Sequence, residues 1–291
     1  MKLNTGDFWD GALGFPNPTE LAGWEALRLW PGGTIDVAIS VGTGEEPRQP
    51  KLANSLSRLL SAFNIFLDGQ HQFLNIKRTT SDQDTLRLNS QLARPIRLDN
   101  ADSIEEQKHY VQCDPQICQD LVGAATALLT SSFYFQLDRP VFYNLGIYYC
   151  QGSIHCRGDY RRVADALTEL YSSQIEFLTQ TEVLTKCELG QDICSVCHRY
   201  QKHVSFSVRH PSDLITISIR IGNKVTRKIS GFPQNISWFQ QQQGFDDHFG
   251  SSSHDIPGEI RCISCAQPNN FGAQKRKGTH SLFRYAKRMK C

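Results

Sequence analysis

The chain has 291 residues, 40% of them hydrophobic and 21% charged, with a formal net charge of +2. That balance excludes a disordered or fibrous protein, and at roughly 150 residues per domain the length provides for two units that can each bury a core. The charge is uneven: residues 266–291 hold Lys275, Arg276, Lys277, Arg284, Lys287, Arg288 and Lys290 with no acid, and subtracting those seven leaves the rest of the chain at −5.

In chain order, residues 8–44 read as a short strand or turn, a helix and a strand. Asp10-Gly11 is a turn signal, and Pro18 opens a helical stretch in which Leu21, Trp24, Ala26, Leu27 and Trp30 recur near helical spacing before Pro31-Gly32-Gly33 stops it. Residues 35–41 are a β-branched run of the kind found in a strand buried on both faces, so the order predicts a βαβ unit at the edge of an α/β sheet. Residues 51–66 put Leu52, Leu56, Leu59, Leu60, Phe63 and Phe66 on one helical face, and residues 102–130 form a further helical region interrupted at Pro115. The most apolar long stretch without charge, residues 121–137, falls short of the ~20 residues a spanning helix needs and is read as a buried segment.

Beyond residue 131 the pattern changes to short alternating or aromatic runs. Residues 133–137, 141–149, 203–208, 214–221 and 225–229 are strand-like, with Gly222-Asn223 favouring a hairpin between the last two. A helix is expected over residues 162–179, then a polar stretch over 240–257 and the basic tail. The tail reads as solvated and disordered, though its cations with Phe271, Phe283 and Tyr285 could touch an anionic membrane surface. Charge alone is no basis for expecting nucleic acid as a partner. Asp7 and Asp10 interrupt any apolar leader, so a cytoplasmic protein, peripheral to membranes at most, is expected.

Asp10-Gly11-Ala12 resembles the DGG/DGA motif of patatin-like phospholipases. The similarity continues in order through Pro16-Asn17-Pro18, a helix with Ala22, Glu25 and Ala26, the strand ending Ser40-Val41-Gly42-Thr43-Gly44, then Leu86-Arg87-Leu88-Asn89 and Leu98-Asp99. More loosely, residues 132–135 and 152–157 are similar to the segment C-terminal to this domain in fungal members. The resemblance implies an α/β chain in which residues 1–128 are the C-terminal part of a patatin-like domain, residues 129–265 a mostly β accessory domain and residues 266–291 the tail. It implies a Ser–Asp dyad without a catalytic cofactor, acting on membrane phospholipid or lipid esters. Asp10 is then the base that takes the proton of the serine hydroxyl, and Gly11 and Ala12 complete its motif. The sequence departs from the family in containing neither a Gly-x-Ser-x-Gly elbow nor a glycine-rich oxyanion loop ahead of Asp10, so the chain alone is expected to be inactive. Either it is a fragment of a larger gene product, or it is made and used as it stands.

Cys194-Ser195-Val196-Cys197 and Cys262-Ile263-Ser264-Cys265 are two CxxC pairs with 64 residues between them. Four thiolates complete a tetrahedral zinc shell, and a structural zinc is weighed against ordinary reduced thiols. A non-catalytic binding or regulatory module stapled by that zinc is the alternative to the hydrolase. Cys150, His155 and Cys156 form a smaller candidate cluster, whereas His155, His198, His203, His210 and His254 lie near no nucleophile elbow and are read as surface or core histidines.

Overall fold

The computed structural model describes residues 2–3, 6–7, 15–45, 69–79, 84–92, 101–172, 174–187, 192–194, 199–223 and 225–243. They form a mixed α/β structure with two small and two four-stranded sheets. Asp10, Gly11, Ala12, Cys197, Cys262, Cys265, the helix expected over residues 51–66 and the basic tail lie outside the described residues.

After a two-stranded ribbon of β1 (Lys2–Leu3) and β2 (Gly6–Asp7), helix α1 (Thr19–Leu29) leads into β3 (Val37–Val41). Strand β3 pairs in parallel with β4 (Asp84–Leu88), from Val37↔Asp84 to Val41↔Leu88. Parallel neighbours need a crossover, and helix α2 (Gly69–Thr79) lies within it. The strand is not buried on both faces as its β-branched run suggests. Only Ser40 is buried and Val41 is 74% exposed, because β4 is its one partner among the described residues. Trp24, Leu27, Leu29 and Trp30 of α1 and its C-cap are exposed as well.

Helix α3 (Ile104–Cys113) and helix α4 (Pro115–Thr130) divide where Pro115 predicts a break. Asp114 caps α4 by accepting from Gln116 N (2.9 Å) and Ile117 N (3.3 Å), with proline at the first helical position where no donor is needed. The Ser90 hydroxyl (2.8 Å) and these amides hold the Asp114 carboxyl below its usual range. The stretch over residues 121–137 divides between α4 and a strand. Leu121, Val122 and Leu128 are exposed, since α4 buries mainly Ile117, Ala124 and Ala127. Among the described residues no helix is long and apolar enough to cross a membrane.

The remaining elements enclose one core. Strands β5 (Phe133–Leu137), β6 (Phe142–Asn144), β7 (Ile147–Cys156) and β10 (Gln201–Val208) make an antiparallel sheet in which β5 and β6 lie along one edge of β7 and β10 along the other. A second antiparallel sheet runs β12 (Val225–Lys228), β11 (Ser218–Ile221), β8 (Ile175–Leu178), β9 (Val183–Lys186). Alternation along β5, β8 and β11 puts Phe133, Phe135, Phe177, Ile219 and Ile221 into the core, where α5 (Tyr160–Tyr171) and α6 (Ile236–Gln243) also pack. The Tyr160 and Tyr200 rings stack at 4.0 Å, with Phe133 edge-on to both. Each such side chain, fully buried, contributes about 1.5–3 kcal/mol.

Several expectations change. The helix expected over residues 162–179 ends at Tyr171, where Ser172 turns left-handed at φ 48°, and the period-two pattern Ile175-Glu176-Phe177-Leu178 is strand β8. Residues 141–149 form a hairpin instead of one strand. The expected hairpin of β11 and β12 is present, with Gly222 at φ 54°.

Acidic residues before and at the start of the parallel strands tie the two parts together. Asp36 accepts from Ser230 Oγ (2.6 Å) and Gly231 N (3.0 Å), and Arg227 donates to Asp84 (2.8 Å). Within the core, a Cβ at Gly152 would overlap the Phe135 ring and the Gln136 carbonyl. Gly152→Ala is therefore expected to lose about 3 kcal/mol, read as a lower urea midpoint at unchanged slope.

Candidate functional site

The residues that carry the sequence motifs converge at the carboxyl ends of β3 and β4. Asn17, buried before α1, accepts from Thr19 N (3.1 Å) and Thr19 Oγ1 (2.6 Å), donates through Nδ2 to Gly69 O (3.0 Å), and through its backbone N–H to Gln72 Oε1 (3.2 Å). It thereby fixes the start of α1 against the start of α2. Ser40 Oγ lies 3.4 Å from Asn17 Oδ1 and accepts from Arg87 NH1 at 2.8 Å. Arg87 donates its Nε to Gln70 (2.7 Å) and lies over the Phe73 ring at 5.7 Å.

Beyond the strands, the ladder continues through Gly42 N to Leu88 O (2.8 Å) and Glu45 N to Ser90 O (2.8 Å). Between these two, Gly44 N donates to the Asn89 side chain at 3.0 Å, so an amide side chain supplies a rung that the backbone lacks. Two glycines make this possible. A Cβ at Gly42 would overlap Asn89 Oδ1, and Gly44 sits at φ 107°, where side chains are strained. The carboxyl ends of parallel strands are where open α/β sheets place ligands. Here they carry a hydrogen-bonded frame, with Glu45 accepting from Gln91 Nε2 at 2.7 Å, while Asp10 lies outside the described residues.

A second cluster lies on the outer face of the β5–β7–β10 sheet, and sequence reasoning missed it. Ser153, fully buried, donates to Asp138 (2.8 Å), accepts from Gln201 Nε2 (3.0 Å) and lies 3.0 Å from His203 Nδ1, which is itself 3.0 Å from Asp138 Oδ2. Ser, His and Asp are all present, yet the connectivity is not that of a proton relay. A relay uses one imidazole nitrogen for the serine and the other for the acid, whereas here Nδ1 faces both. The cluster ties the three strands together around Ser153, which is sealed from solvent. Gln201 Oε1 has no hydrogen-bond partner among the described residues. The cross-strand pair His203↔Ser153 and the pairing of β5 with β7, which delivers Asp138, bring these residues together, and no local pattern announces them.

The hydrogen bond to Asp138 raises the His203 pKa against the cost of burial, while burial lowers that of neighbouring His155. Cys150, His155 and Cys156 do not form a site. Both cysteines face the core, His155 faces outward, and six residues of strand separate the two thiols by about 20 Å. Burial pushes the Cys150 thiol up to about 12 and raises Cys156 and Cys187, which marks them as inert packing groups. Cys194 is buried at the root of a hairpin closed by Cys194 N to Arg199 O (2.9 Å) and the Ile193↔Tyr200 bridge. Among the described residues no group of three or more His, Cys, Asp or Glu is placed to hold a metal.

No family model, curated protein or solved structure matches the chain.

A raised folded-state pKa makes the His203 contribution to stability complete below the ordinary value of 6.5 and lost as pH climbs through the raised one. The depressed His155 acts on the other side, costing stability as pH falls below 6.5. Urea titrations at several pH values should show a decline above 6.5 in the wild type that His203→Gln removes.

Proposed function

We propose that the chain is the C-terminal part of a patatin-like lipid acyl hydrolase that cleaves carboxylic esters of membrane phospholipid or neutral lipid at a cytoplasmic membrane surface. The observation that supports this is the meeting of Asn17, Ser40, Gly42, Gly44, Arg87 and Asn89 in one hydrogen-bonded frame. The open apolar surface of α1 and β3 agrees with an α/β layer that needs further covering.

In this reading Asp10 accepts the proton of a serine hydroxyl as its oxygen attacks the ester carbonyl. The alcohol leaves with a proton, and water then releases the acyl group as a carboxylate. No cofactor is needed. The serine is not in this sequence, so the proposal requires a Gly-x-Ser-x-Gly from another segment of the same gene product. Mapping transcripts upstream of Met1 and assaying ester hydrolysis by the longest product tests it. An in-frame elbow is expected, with Asp10→Asn lowering kcat at least about a hundredfold. Transcripts that start at Met1 refute it.

A second reading is a zinc-stapled binding or regulatory module, favoured by the burial of Cys194 beside the Ile193↔Tyr200 bridge, three positions before Cys197 in the sequence. With Cys262 and Cys265 the donors are four thiolates, a set suited to a closed structural zinc site. Elemental analysis of the purified chain should then find one zinc per molecule, lost in Cys194→Ser. A metal-free, fully folded wild type excludes this reading.

A further inference from the structure

The hairpin between β6 and β7 has features that the fold does not require. Its register, Phe142↔Tyr149, Tyr143↔Tyr148 and Asn144↔Ile147, leaves the two-residue loop Leu145-Gly146. Both residues have the positive φ that a type I′ turn demands, 49° and 83°. Glycine adopts this freely, but asparagine or aspartate would suit the first position far better than leucine. Leu145 is thus held against its backbone preference, and it is 92% exposed. A strained backbone that presents an apolar side chain to solvent points to a use for that side chain.

The surroundings indicate which use. No charged residue occurs between Pro140 and Ile154. Along the hairpin the side chains are ordered: Leu145 at the tip with Ile147 beside it, then Tyr143, Phe142 (64% exposed) and Tyr149. Beyond these comes exposed Arg139, while exposed Arg209, directly after Val208, which pairs with Tyr148, flanks Ile147 from the other edge of β7. An aliphatic tip and exposed aromatic rings flanked by two arginines is the composition of a lipid interface, where acyl chains, headgroups and phosphates meet. Strand alternation also places Phe142, Ile147 and Tyr149 on one face of the hairpin and Tyr143 on the other, all exposed. A flat protein partner covers one face of such a projection, whereas lipid surrounds it.

We propose that residues 140–149 form a wedge whose tip inserts shallowly into anionic phospholipid membranes, with Leu145 at its leading edge and Arg139 and Arg209 flanking it toward the headgroups. The wedge stands on the hairpin alone and holds whether or not the protein hydrolyses esters. Co-sedimentation of the full chain with vesicles of ether-linked phosphatidylcholine and phosphatidylserine, which contain no cleavable acyl ester, tests it. Salt at about 0.5 M suppresses the contribution of the basic tail. The wild type is expected to pellet with the vesicles, and Leu145→Asn to lower its partition at least about tenfold. Because asparagine tolerates the left-handed backbone, the variant should melt at the same temperature or higher, which separates lost insertion from lost folding. A wild type that stays in the supernatant overturns the proposal, and so does a Leu145→Asn variant that pellets as the wild type does. A wild-type dimer that Leu145→Asn makes monomeric, without vesicle binding by either, overturns it in favour of contact between copies.

Discussion

Side chains on a strand alternate between faces, and in β7 three neighbouring strands depend on that alternation at once. Its even positions, Cys150, Gly152, Ile154 and Cys156, face the core that closes on Phe133 and Tyr200. Its odd positions supply Ser153 to the polar cluster with His203 and Asp138, and Ile147 and Tyr149 to the exposed hairpin. A slip of one residue would exchange these sets, putting Ser153 into an apolar core and Ile154 into water. The Gly152 contact with Phe135 and the Ser153 contact with Asp138 both work in one register only, so packing and polar satisfaction enforce the same answer.

The two polar clusters serve different ends. The Asn89–Gly44 contact lets the chain leave the parallel ladder while its amides remain satisfied, which shapes the carboxyl ends of β3 and β4. The Ser153 cluster has the composition of a hydrolase triad with the wiring of a structural network, since one imidazole nitrogen faces both partners and the serine is sealed. Residue identity alone would have assigned catalysis to the wrong place, and the hydrogen-bond geometry removes the error.

Much of the fold was legible where local chemistry is strong. The strand over Phe133–Leu137, the break at Pro115 and the Gly222-Asn223 hairpin all appear as the sequence suggests, because aromatic alternation, a missing donor and a glycine at positive φ act within a few residues. Helix α6 was obscured by its run of glutamines, and β8 by its continuation of a helical pattern. The β6–β7 turn was concealed because leucine stands where asparagine would have announced it. The motif frame was half legible: the order of its segments could be read, but not that Asn17, Ser40, Arg87 and Asn89 would touch. The Ser153–His203–Asp138 cluster was not legible, since it exists only through cross-strand pairing over fifty residues.

The bond from Gly231 to Asp36 spans 195 positions, which has a bearing on how the protein comes into being on the ribosome. At about 5–20 residues per second, roughly 10–40 s pass between the emergence of Asp36 and that of its partner. Throughout that interval β3 lacks the anchor that Asp36 later gives it, while Trp24, Leu27 and Trp30 are exposed both before and after that anchor forms. The period in which β3 goes unanchored is thus set by translation speed.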